Sequence, residues 1–156
     1  MTSAPPSAAA QTLRDWLREG PFSLCLSSGF FGFFAHAGVV SVLEEEKLLP
    51  ARLAGSSAGA LVAGLWAAGL PAQELKRELF ALRREQFWDP GLGLGLLRGA
   101  MFQARLAALL PVTTFDQCRI PLGLSVFEWR TRSTQVVESG PLAPALHASC
   151  AVPFLF

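Results

Sequence analysis

The chain has 156 residues, 51% of them apolar and only 16% charged, with 13 Lys and Arg against 12 Asp and Glu. A chain of this length suits one domain burying roughly 70% of its unfolded surface, and so little charge excludes intrinsic disorder. The net charge of +1 has no basic stripe behind it, which argues against nucleic-acid binding, while a mean hydropathy of +0.39 makes lipid contact a function to consider.

Residues 1–11 are small, polar and Pro-containing, without the basic start or apolar run of a signal peptide. They read as a disordered lead, with one unit over residues 12–156. A first helix, entered near Ala8 and running to Glu19, carries Leu13, Trp16 and Leu17 on one face and is stopped by Gly20 and Pro21. The short apolar run Phe22 to Leu26 predicts a buried strand. A glycine-containing turn, Ser27 to Gly32, leads into a mostly apolar helix from Phe34 to Glu46. Arg52 to Ala54 predicts a second strand. Gly55 to Gly59 then turns sharply into another apolar helix that ends near Gly69.

Pro71 opens an amphipathic helix to Arg84, with Leu75, Leu79 and Leu82 on its buried face. Phe87 to Gly99 reads as irregular. Met101 to Leu110 predicts a helix, Ile120 to Trp129 and Thr134 to Glu138 strands, and Leu142 to Ser149 a last helix. Strands alternating with helices at this spacing predict an α/β fold with a mainly parallel sheet and right-handed crossovers.

Cys25, Cys118 and Cys150 are odd in number and far apart, so neither a disulfide framework nor a zinc site is expected. Idle thiols and the absent leader suggest a cytoplasmic location, with no metal and no cofactor. Two uncharged stretches, Gly20 to Leu43 and Leu53 to Gln73, exceed the roughly 20 residues of a membrane span. A two-span hairpin is therefore an alternative, although their many Ser and Gly residues and Pro71 favour buried α/β elements.

The chemistry concentrates in Gly55-Ser56-Ser57-Ala58-Gly59, a G-x-S-x-G pattern between a strand and an apolar helix. A serine in such an elbow needs unusual backbone angles, and glycines two residues away on either side remove clashing side chains. The elbow exposes the Ser57 hydroxyl and aims the next helix N-terminus at the reacting carbon. The alternative is a helix start with a capping serine. The earlier turn Ser27-Ser28-Gly29-Phe30-Phe31-Gly32 can offer backbone N–H donors to an oxyanion, or can be a plain strand-to-helix turn. It lacks the lysine and glycine spacing of a phosphate loop. Phe30, Phe31, Phe33 and Phe34 read either as an acyl-chain slot or as ordinary core.

Leu24 to Gly32, Ala35-His36-Ala37-Gly38-Val39, Gly55 to Leu61 and His147 to Pro153 together resemble the patatin-like phospholipase family in order and spacing. That family carries a G-G-G-x-[RK]-G loop, then G-x-S-x-G, then A-S-x-A-x-P. The resemblance implies a three-layer α/β/α fold and lipid acyl hydrolysis by a Ser–Asp dyad without histidine. It places Ser57 as nucleophile, Ser27, Ser28, Gly29 and Gly32 in the oxyanion loop, and Gly55, Ser56, Ala58 and Gly59 in the elbow. Lipid or phospholipid is then the substrate, met at a peripheral membrane surface; oligomeric state is not legible.

Three departures stand out. Ser27 and Ser28 replace two glycines, Phe31 replaces the basic residue, and the family's D-G-[GA] aspartate is not found before Phe156. The expectation is a C-terminally truncated domain lacking its base. Asp89 and Asp116 are the only aspartates after Ser57, and both read as turn or capping residues. His36 and His147 could assist Ser57 as a triad histidine would, but His36 reads as a helix residue and His147 as a surface or capping residue. A catalytically inactive lipid-binding or regulatory module is the alternative function.

Overall fold

In the computed structural model the described residues are 11–83, 85, 89–90 and 98–151. Residues 1–10 of the predicted lead over 1–11, most of the irregular stretch over 87–99 and the last five residues lie outside them. The first helix, α1 (Leu13–Arg18), is shorter than predicted. Thr12 caps it, its side chain accepting from Asp15 N–H. Its predicted apolar face is not buried: Leu13 and Trp16 are exposed, and only Leu17 packs on the core, in part. Arg18 instead ties α1 to the end of the next helix through Glu46, at 3.0 Å.

The strands β1 (Ser23–Leu26), β2 (Arg52–Ser56), β3 (Leu122–Glu128) and β4 (Ser133–Val137) form one sheet in chain order. The first three are parallel, with Leu26 beside Gly55 and Ser56 beside Ser125; β4 returns antiparallel to β3. The α/β class and mainly parallel sheet are those the sequence predicts. β2 runs two residues past the expected Ala54 because its ladder with β3 holds the chain extended as far as Ser56.

The helices are α2 (Gly32–Glu45), α3 (Ala58–Ala67), α4 (Ala72–Phe80), α5 (Ala100–Leu109) and α6 (Leu142–Cys150). Every residue of α3 is buried, as its all-round apolar sequence requires. It packs on β1, β2 and β3, with α2 and α6 against it. On α4, Leu75 and Leu79 face the core and Leu82 is half-buried beyond the helix end. Glu44 of α2 accepts from Ala72 N–H at the start of α4 and pairs with Arg119 at 3.2 Å, so one carboxylate joins three segments. Trp66 is the largest fully buried side chain among the described residues. Trp66→Ala should cost about 3–5 kcal/mol by cavity formation, read as a lowered denaturation midpoint.

The two uncharged stretches fold as strand, loop and helix. Among the described residues no helix is long and apolar enough to cross a membrane.

Candidate active site

β1 and β2 are parallel, so the segments that follow them emerge at the same edge of the sheet. The Ser27 to Phe31 loop follows β1, and Ser57 follows β2. Ser57 has φ 51° and ψ −116°, a region that side-chain-bearing residues rarely occupy. Holding it there costs on the order of 1–3 kcal/mol, a strain that clusters at functional sites. The residue is half-buried, and among the described residues its hydroxyl makes no hydrogen bond.

The two elbow glycines do different work. A Cβ on Gly55 would stand 2.6 Å from Gly59 O and 2.7 Å from Ala60 Cα, inside the first turn of α3. A Cβ on Gly59 would stand 2.1 Å from Leu26 O and 2.7 Å from Ser27 O. Gly55 therefore permits the tight bend. Gly59 permits the contact between α3 and the loop leaving β1. On the loop side, a Cβ on Gly32 would lie 4.0 Å from Ala58 Cβ and 3.3 Å from His36 Nε2. Loop and elbow are thus in direct contact.

Gly29 has φ 145°, open to glycine and strained for other residues. Its carbonyl accepts from Gly32 N–H at 2.7 Å. The Gly32 amide is therefore used inside the loop, and what Gly32 contributes is close approach. His36 Nε2 lies 2.9 Å from Ser27 O and, facing a carbonyl, is the donor. In a trans peptide the next N–H points opposite to the carbonyl, so this bond turns the Ser28 amide away from His36. α2 and α3 both begin without a side-chain cap or a first-turn acid, leaving their positive dipole ends beside Ser57. Ser56 ends β2 and Ala58 opens α3.

Two residues of α6 reach the elbow. Ser57 N–H donates to Ser149 Oγ at 3.0 Å, and Cys150 Sγ lies 3.4 Å from Ser57 O. Both fall in the His147 to Pro153 block that the family resemblance singled out, but spacing alone gave them no role. His36 is the helix residue expected, and its bond to the loop carbonyl is a contact the sequence reading does not contain. Its position one turn into the helix after a Gly-rich loop was the available signal.

The two aspartates are engaged elsewhere. Asp89 accepts from Gly99 N–H and Met101 N–H, both at 3.0 Å, at the start of α5. Those backbone bonds, Met101 first, hold its carboxyl below the usual value. Asp116 lies in the 3-10 turn Phe115–Gln117, lining a cavity with Arg52 and Pro121 at the opposite end of the strands. Arg52 and Ser57 are about 16 Å apart along the chain direction. His147 is half-buried on α6 with its ring 5.9 Å from Phe102, not on the surface as predicted. Burial lowers its pKa, against an opposing pull from Asp89.

Burial pushes the Cys150 thiol up to about 12 from its ordinary 9.0. The folded chain keeps this proton to a higher pH than the unfolded chain does. Its contribution is intact below about pH 9 and is lost as pH rises toward 12, at about 1.4 kcal/mol per unit. Denaturation midpoints should fall over that window, and Cys150→Ala should flatten the fall. In the folded chain at pH 8, iodoacetamide should modify exposed Cys25 and spare Cys150.

The arrangement is that of an α/β protein whose central strand ends in a strained serine and then a buried helix. The chain belongs to the patatin-like phospholipase family, whose model matches residues 24–156. It is 29% identical over 135 residues to uncharacterized NTE family proteins of Mycobacterium tuberculosis and Mycobacterium bovis, covering 84% of this chain and 37% of each relative. It is also 48% identical over 60 residues to a patatin-like phospholipase domain-containing protein of Pyricularia oryzae, covering 38% of this chain and 8% of that protein. The chain thus spans little more than a third of the length of its mycobacterial relatives.

Proposed function

We propose that this chain carries the nucleophilic half of a serine lipid acyl hydrolase. Ser57 is the nucleophile of a Ser–Asp dyad whose aspartate is missing from these residues. The observation that carries the reading is the strained Ser57 backbone, fixed between Gly55 and Gly59 and set against the Ser27 to Gly32 loop. In the complete site the aspartate takes the Ser57 Oγ proton as that oxygen attacks the ester carbonyl. The loop amides, Ser28 and Gly29 foremost, hold the oxyanion. The alcohol leaves, and water releases the acyl group from Ser57.

The family supports a lipid ester as substrate, and the surface supports a peripheral membrane encounter. Phe30 and Phe31 are 77% and 72% exposed on the loop, rather than lining a slot. Phe80 joins that edge through Phe34, 4.7 Å from it, and Phe127 and Trp129 lie where β3 ends. Phe33 packs on the core. Exposed aromatics gathered at one edge suit a lipid interface. The double change Phe30→Asp with Phe31→Asp should weaken co-sedimentation with phosphatidylcholine vesicles several-fold without lowering the denaturation midpoint.

A second reading, an inactive lipid-binding module, is favoured by the engagement of Asp89 and the remote place of Asp116. Hydrolysis of p-nitrophenyl esters separates the possibilities. The 156-residue chain should turn them over at or near background. Robust turnover lost in Ser57→Ala would show that a base is present after all.

A further inference from the structure

Parallel strands exchange backbone hydrogen bonds with every second residue of a neighbour. β2 donates to β3 in this way: Leu53 N–H reaches Pro121 O at 2.8 Å, in a register pairing Leu53 with Leu122 and Ser56 with Ser125. Advancing two residues at a time, the donors are Leu53, Gly55 and Ser57 and the acceptors Pro121, Gly123 and Ser125. The next rung of the ladder would therefore run from Ser57 N–H to Ser125 O. It is not made directly. Ser149 Oγ stands between the two, accepting from Ser57 N–H at 3.0 Å and donating to Ser125 O at 2.7 Å.

We propose that Ser149 is a positioning residue for the nucleophile, its hydroxyl inserted as a one-atom rung where strand β2 must leave the sheet. The insertion separates Ser57 from β3 while leaving no polar group of that rung unsatisfied. With a direct rung, Ser57 would continue the strand, at negative φ. With the hydroxyl between, Ser57 turns to φ 51° and its side chain leaves the sheet. Cys150, the next residue, closes the other side, its thiol on the Ser57 carbonyl that also accepts from Leu61 N–H. The end of α6 thus grips both backbone polar groups of one residue.

The inference rests on Ser57 being the nucleophile, and its test separates the two. The rate of Ser57 modification by a fluorophosphonate is measured by peptide mass spectrometry in wild type, Ser149→Ala, Ser149→Thr and Ser149→Val. Thr keeps the hydroxyl, whereas Val has the same shape without it. Hydrogen exchange at the Ser57 amide is followed in parallel. Ser149→Ala and Ser149→Val should label on the order of 100-fold more slowly, as a displaced nucleophile does. Ser149→Thr should stay within a few-fold of wild type, with its Ser57 amide protected. Val and Thr variants that label alike would overturn the role of Ser149 and leave the hydrolase reading standing. A wild-type chain in which Ser57 is not labelled would overturn the hydrolase reading, and the positioning role with it.

Discussion

Gly59→Ala should cost this protein more stability than any other single methyl group added in the site. The new Cβ would stand 2.1 Å from Leu26 O and 2.4 Å from Leu26 C. Neither is the end of a flexible side chain. Both belong to the backbone of β1, paired along its length with β2. Relief requires moving α3 off the sheet, and every residue of α3 is in the core. Overpacking against a rigid wall costs about 3 kcal/mol or more. At about 2–4 °C per kcal/mol for a chain of this size, the melting temperature should drop by roughly 6–12 °C. Gly38→Ala provides the contrast. Gly38 lies inside α2 with nothing within 4 Å of its Cβ position. Replacing it should stabilise the helix by about 0.5–1 kcal/mol. A thermal melt of both variants reads the two signs. Equal behaviour would contradict the close contact between elbow and loop.

The second large effect is at Ser57 itself. Ser57→Gly should remove the proposed nucleophile and relieve the positive φ of 51° together. The variant should be more stable by about 1 kcal/mol, since glycine occupies that region without a Cβ penalty. Its reaction with fluorophosphonates at this position should be lost entirely. Gaining stability while losing chemistry is the pattern of a residue held in strain for function. A Ser57→Gly chain less stable than wild type would argue that the hydroxyl serves packing.

Much of the fold was legible because its punctuation is local. Gly20-Pro21, the loop glycines and Pro71 bound segments whose apolar runs and periodicity allow only strand or helix. Ser57 was legible for the same reason: the bend that exposes it requires glycine at 55 and 59. What local pattern could not supply were contacts made across the chain. Ser149 meets Ser57 over a separation of 92 residues, and only a completed sheet brings its hydroxyl between Ser57 and Ser125. The use of His36 depends on where the Ser27 carbonyl turns, which the Gly29 backbone sets. Asp89 reads as a turn or capping residue, and it does bind the first amides of α5, but from 10 and 12 residues upstream, a reach that its place before Pro90 does not foretell. The solvent-facing Phe30 and Phe31 were not legible as exposed, since aromatic rings beside a turn pack inward as readily as outward.

The most direct test is exhaustive treatment of the folded chain with an excess of fluorophosphonate, followed by mapping of every modified serine. The expected result is slow modification at Ser57, ahead of all other serines and absent in Ser57→Ala. Modification spread evenly over exposed serines, with Ser57 unmodified, would contradict it.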